Sequence, residues 1–111
     1  MGKSTIKCRY RVDFLLGQKS IGTTAISCNC NWSDYDLLLF QAVQYNNIRE
    51  ATIVDIAYFA ATTSGTRIQL YDSAWSATYD IYKNTSSSIY VKSSKAADAN
   101  YGIRIYGFKF T

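Results

Sequence analysis

The chain has no histidine among its 111 residues. Histidine is the commonest general base and the commonest metal ligand, so its absence removes every Ser–His and Cys–His pair. There is no proline either, which leaves every position free to donate a backbone hydrogen bond to a sheet. Glycine is scarce, at six, and this disfavours Gly-rich phosphate cradles. The three cysteines, Cys8, Cys28 and Cys30, are odd in number. A C-x-C pair with one remote cysteine and no histidine makes a poor zinc site. On a strand Cys28 and Cys30 would share a face, where they suit small buried hydrophobes in a reducing compartment. A disulfide from Cys8 to either is a further option that spacing leaves open. No apolar run approaches the ~18 residues of a membrane span, so no membrane insertion is expected. The segment Met1-Gly2-Lys3-Ser4-Thr5 has no apolar signal-peptide core, and Ile6 stands where myristoylation requires Ser or Thr.

What is abundant points one way. Apolar residues make up 48%, enough for a packed core, and tyrosine occurs ten times. Serine and threonine together number 22. β-Branched and aromatic residues favour strands. Surfaces rich in Tyr and Ser suit adaptable recognition at low entropic cost. The net charge of +4 is an ordinary solubility margin.

Along the chain, Ile6, Cys8, Tyr10, Val12 and Phe14 alternate with Lys7, Arg9, Arg11 and Asp13. That period of two predicts a strand with one buried apolar face and one wet charged face. Gly17 to Ser20 reads as a turn, and Ile21 to Asn29 as a second strand. The polar stretch around Trp32 leads into the apolar run Leu37-Leu38-Leu39-Phe40, a strand in preference to a short helix from Ser33. Asn46-Asn47 signals a turn. Arg49 to Ala61 alternates with both faces partly apolar and is read as a buried strand, with a brief helix from Ile48 as the rival. From Thr66 to Asp72, Ile68 and Leu70 share one face; Arg67, Gln69 and Tyr71 share the other. Ile89-Tyr90-Val91 is a short strand. The apolar Tyr101 to Phe110 is read as a buried core strand. Seven or eight evenly spaced strands argue one all-β domain over residues 1–111, a two-sheet antiparallel sandwich of jelly-roll kind.

Several segments together resemble the C-terminal domains of prophage-type phage tail-fibre and minor tail proteins. They are Gly22-Thr23-Thr24-Ala25-Ile26, Trp32-Ser33-Asp34-Tyr35-Asp36 with the apolar run after it, Ser64 to Asp72, and Ile103-Arg104-Ile105-Tyr106-Gly107-Phe108-Lys109. The likeness covers about 80% of the chain in outline, on short motifs of low specificity. It implies a virion tail component made in the host cytoplasm, a homo-oligomer with a trimer favoured, and contact with a cell-surface glycan. No functional residue motif carries over. Tyr35 and Asp36 are expected to be structural, the Tyr packing at a strand entrance and the Asp accepting backbone N–H groups.

Catalysis is not expected, and no cofactor is. Cys8 lies between Lys7 and Arg9, but those cations belong to the opposite strand face. Nothing marks two of the eight acids as a catalytic pair, and a chain this short has little room for a deep cleft. Asn29, Asn31, Asp34 and Asp36 do not match an EF-hand loop and read as turn-forming residues. The expected ligand-binding surface is Tyr71, Asp72, Trp75, Tyr79, Asp80 and Tyr82, where flat rings can stack on sugar faces and carboxylates can bind hydroxyls. Trp75 and Tyr79 could instead be core or subunit-interface residues, since Trp is usually largely buried. Two alternatives stand beside the appendage reading. One is a stand-alone carbohydrate-binding module. The other is a small nucleic-acid-binding β-barrel using Lys7, Arg9 and Arg11; nucleic acid is the less favoured partner, because a charged edge strand protected against aggregation explains these cations equally well.

Overall fold

The alternating segments become eight strands in the computed structural model, which describes residues 9–110. They are β1 (Tyr10–Lys19), β2 (Ile26–Asn29), β3 (Leu37–Gln44), β4 (Asn47–Asp55), β5 (Ile68–Asp72), β6 (Ala77–Thr85), β7 (Ser88–Ser93) and β8 (Tyr101–Phe110). A 3-10 turn spans Trp32–Asp34, and one short helix, α1, spans Ile56–Ala60. The strands form two four-stranded antiparallel sheets. Sheet A has the order β1-β8-β3-β4 and sheet B the order β2-β7-β6-β5. The two pack as a sandwich, as the strand spacing predicts. β1 with β8 and β2 with β7 are nested long-range pairs, whereas β3–β4 and β5–β6 are hairpins between consecutive strands.

The core lies between the sheets. Leu38, Phe40 and Ala42 of β3 and Ile103 and Ile105 of β8 face Tyr79 and Ile81 of β6 and Ile89 and Val91 of β7; all are fully buried. An aromatic cluster closes each end. At one, Trp32 meets Phe59 edge-on at 5.0 Å, and Phe59 meets Phe40 at 5.6 Å. At the other, Trp75 stacks flat on Tyr101, with ring centroids 5.0 Å apart, and also meets Tyr79 at 6.0 Å. Buried donors at the Trp32 end find partners, as burial favours, whereas the Tyr79 hydroxyl at the other end is buried with no partner among the described residues. The Trp32 indole N–H donates to the Thr85 and Ser88 carbonyls. The Thr62 hydroxyl donates to the Phe59 carbonyl and accepts the Lys83 N–H, fastening α1 to β6.

The structure departs from the sequence expectations at several points. β4 ends at Asp55 rather than running on to Ala61, because the Asp55 carboxylate accepts the Tyr58 N–H at 2.7 Å and caps α1. Residues 17–19 stay in β1, with irregular pairing as far as Lys19 opposite Ile103, instead of turning. The β3–β4 hairpin turns one residue earlier than Asn46-Asn47, at Tyr45-Asn46, with Tyr45 at a left-handed φ of 54°. The largest difference is β1. Its apolar side, Tyr10, Val12 and Phe14, faces outward and is exposed. Register sets this. Those residues pair with Phe110, Phe108 and Tyr106, which alternate with the inward Ile103, Ile105 and Gly107. The end of β8 is therefore only half buried, with Phe110 exposed, contrary to the expectation of a wholly buried strand. A bulge at Leu15 then turns Leu16 inward, opposite Ile105. Ile6, Lys7 and Cys8 lie outside the described residues.

Across sheet A, registered pairs form outward apolar rows. Val12, Phe108 and Leu37 make one row; Phe14, Tyr106, Leu39 and Ile53 make the next.

On the inner side of the same strands, Tyr35 lies over Gly107. A Cβ at Gly107 would meet the Tyr35 ring at 2.5 Å. The Tyr35 hydroxyl donates to Asp13 at 2.7 Å, and Arg11 Nε pairs with the same carboxylate at 2.9 Å. Asp36 accepts the Phe110 N–H at 2.7 Å. Both residues thus anchor the C-terminal strand.

Gly107→Ala is expected to destabilise the domain by about 1–3 kcal/mol through this clash, as measured by chemical denaturation. A pH dependence follows as well. The Tyr35 hydroxyl, with Arg11 behind it, holds the Asp13 carboxyl below its ordinary value. Desolvation and the hydrogen bond to Asp13 raise the Tyr35 phenol above its own. The lowered acid contributes stability above its unfolded value near ~4, lost as pH falls through the folded value. The raised phenol contributes below ~10, lost as pH rises through its folded value. The difference in Tm between wild type and Tyr35→Phe should therefore be largest between these limits and shrink on both sides.

Candidate functional site

The outer face of sheet B is built by alternation. On β5 the inward Ile68, Leu70 and Asp72 leave Gln69 and Tyr71 outside, with Arg67 just before the strand. On β6 the inward Ala77, Tyr79 and Ile81 leave Thr78, Asp80 and Tyr82 outside. On β7 Ile89, Val91 and Ser93 point in, and Tyr90 and Lys92 point out.

Register turns these positions into rows. Gln69, Asp80 and Lys92 lie side by side across three strands. Gln69 Nε2 donates to one Asp80 oxygen at 3.1 Å, and Arg67 Nε pairs with the other, also at 3.1 Å. Tyr71, opposite Thr78 and 52% exposed, stands on one side of this polar row. On the other side Tyr82 and Tyr90 form a cross-strand pair with centroids 5.5 Å apart. The tyrosine rows are four residues apart along β6, roughly 13 Å. Amide, carboxylate and cationic groups therefore lie between aromatic rings. That combination suits a ligand with apolar C–H faces and many hydroxyls.

A groove adjoins this face where the edge strands β4 and β5 run past each other. It has a volume of about 550 Å³ and is lined by Thr52, Asp55, Tyr58, Arg67 and Gln69 among others. Arg67 and Gln69 thus belong to both surfaces, and Tyr58 stands at the groove 63% exposed.

The six residues expected from the sequence do not lie together. Tyr71, Asp80 and Tyr82 are on the outer face. Asp72, Trp75 and Tyr79 are inside. Asp72 accepts the Ala74 and Trp75 N–H groups and shapes the β5–β6 turn. Trp75 is only 9% exposed and is sealed by Tyr101, and its carbonyl accepts from Lys95 Nζ at 2.6 Å. Burial, with Asp72 nearby, raises the Tyr79 phenol and keeps it neutral. Tyr90 and Lys92, which the β6–β7 pairing brings to the face, are not among the six. The alternation of β7 is visible in the sequence, but the strand order is not. Arg67 and Gln69 share the face of Tyr71 by alternation alone, and only the ion pair and hydrogen bond to Asp80 make them part of the site.

Other chemistry-bearing groups are placed as follows. Cys28 and Cys30 are free and buried against the core; burial raises both thiols, Cys30 to about 12, so they pack as hydrophobes and make poor nucleophiles. Cys8 and Lys7 are outside the described residues. Arg11 is engaged with Asp13. Asn29, Asn31 and Asp34 line a second groove, of about 460 Å³, beside Tyr35. Among the described residues no three His, Cys, Asp or Glu side chains converge as metal ligands. No described helix is long and apolar enough to cross a membrane. Comparison with protein-family models, with curated proteins and with solved structures finds no match for the chain.

Trp75→Ala should cost about 3–5 kcal/mol, the range for emptying a large aromatic site in a core. Tyr71→Ala, on the surface, should stay within about 0.5 kcal/mol of wild type. Urea titration of the two variants checks both values.

Proposed function

We propose that the chain is a non-catalytic binding domain of a phage tail or a similar surface appendage, assembled from copies of itself, and that it recognises a cell-surface glycan. The carrying observation is the outer face of sheet B, where the Gln69–Asp80–Lys92 row lies between Tyr71 and the Tyr82–Tyr90 pair. Sugar rings offer weakly positive C–H faces that attract the negative face of an aromatic ring. Their hydroxyls both donate and accept. Asp80 can accept, Lys92 and Arg67 can donate, and Gln69 can do both. Gln69 and Arg67 already hold Asp80 in place, so part of the ordering cost of binding is met beforehand. The groove beside β5 extends the surface and gives a branched glycan a second place to rest. Assembly and a place in a virion tail rest on the resemblance of the short motifs and belong to the same reading.

Screening the protein against a panel of cell-surface oligosaccharides tests the reading. Binding should persist at high salt. The double variant Tyr71→Ala/Tyr82→Ala should lose tenfold or more in affinity, on the order of 1.4 kcal/mol, and remain folded. If no glycan binds and single-stranded nucleic acid binds with a steep salt dependence instead, the nucleic-acid reading replaces this one.

A further inference from the structure

The geometry points to the outer face of sheet A as the surface through which copies of this chain join. The inference deepens the assembly part of the function proposed above and rests on it, but its face lies opposite the tyrosine rows of sheet B and meets the groove beside β5 only at Ile53 and Asp55. Its core is the two apolar rows already described, extended at one end by the pair Tyr10 and Phe110. Five of these side chains, Tyr10, Val12, Phe14, Ile53 and Phe110, stand 46–57% exposed. A half-exposed aromatic leaves on the order of 100 Å². The nine together leave roughly 600–700 Å². That exceeds the apolar patch most monomers show, ~300–600 Å². It approaches the ~800 Å² per partner of a standard stable interface.

The face is also suited in shape and charge to a second copy of itself. A sheet face accepts another sheet face at about 10 Å with side chains interdigitated. Tyr10 already lies against Phe108, and Phe14 against Tyr106, with centroids 5.9 and 4.9 Å apart, so the rings are ordered before any partner arrives. Ordered rings lose little further entropy on association. Arg104 on β8, level with Gln41, bounds the apolar field at one end. Asp55 on β4, level with Leu37, bounds it at the β4 edge, one row short of the Tyr10–Phe110 end. A second copy related by a half-turn about an in-plane axis midway between these two charges sets each against its opposite. Leu39 and Tyr106 then lie near the axis. An unrelated partner would have to match this diagonal; a second copy does so by symmetry.

Light scattering on a sizing column, at about 100 µM and so well above a micromolar dissociation constant, tests the inference. Wild type should run at the mass of two chains, the closed assembly that a half-turn gives; a mass of three chains overturns the half-turn pairing. Val12→Lys and Phe14→Lys should each run as one folded chain, with circular dichroism unchanged. Their glycan binding should equal that of wild type, because both residues lie on the face away from sheet B. A wild-type mass of one chain overturns the inference, whether the face is then bare or covered by another part of the chain. So does an oligomer that both lysine variants leave intact. Loss of glycan binding by all proteins alike would sink the functional reading and leave the mass result standing.

Discussion

A two-layer sandwich covers one face of each sheet and leaves the other to water. That constraint governs this structure, because its two sheets meet it differently. Sheet B is closer to convention: its inward residues are mostly apolar, with Asp72, Tyr79 and Ser93 among them, and its outward residues on β5, β6 and β7 are polar or tyrosine. Sheet A carries apolar side chains on both faces. Strand β8 embodies the difference, with Ile103 and Ile105 facing inward and Tyr106, Phe108 and Phe110 facing outward. Its neighbours β1 and β3 follow that division through register, since the side-chain period of a strand is two and pairing leaves no freedom to choose a face.

The rest of the fold serves to hold this register. Gly107 allows Tyr35 to lie on β8, and Asp13 and Arg11 hold the ring there from β1. Asp36 takes the Phe110 N–H near the end of the same strand. At the two ends of the core, aromatic clusters around Trp32 and Trp75 tie irregular segments to the sheets. Each Trp comes from a connection rather than a strand, yet each is nearly buried. This explains why Trp75 belongs to the scaffold under the outer face of sheet B, not to the face itself. The opposite outer faces can then serve separate tasks, one polar and aromatic, the other apolar.

Much of the architecture is legible in the residues. The β5 segment alternates cleanly, and its two faces lie where Ile68, Leu70, Gln69 and Tyr71 suggest. The apolar run at Leu37 is a central strand, and Tyr35-Asp36 has the structural role its position implies. The candidate site is legible in part. Tyr71, Asp80 and Tyr82 share the outer face, while Asp72, Trp75 and Tyr79 do not, because the β5–β6 turn and the strand period carry them inward. A residue such as Tyr90 reaches the site only because β7 lies beside β6. Arg49 to Ala61 misleads for a local reason: Asp55 continues the alternation and also caps a helix.

The sequence by itself determined the class of fold. Period-two patterning, β-branched and aromatic residues and regularly placed turns are local properties, and they leave little choice but strands. The missing histidines likewise bound the chemistry, since no fold can supply a side chain that the chain does not contain. Only the tertiary structure decided which side of β1 faces the core. Both of its sides contain groups that could be buried, apolar rings on one and an ion pair under a tyrosine on the other. The choice was made by pairing with β8 across a sequence separation of nearly the whole chain. Alternation shows that a strand has two faces, and only its partners show which one points inward.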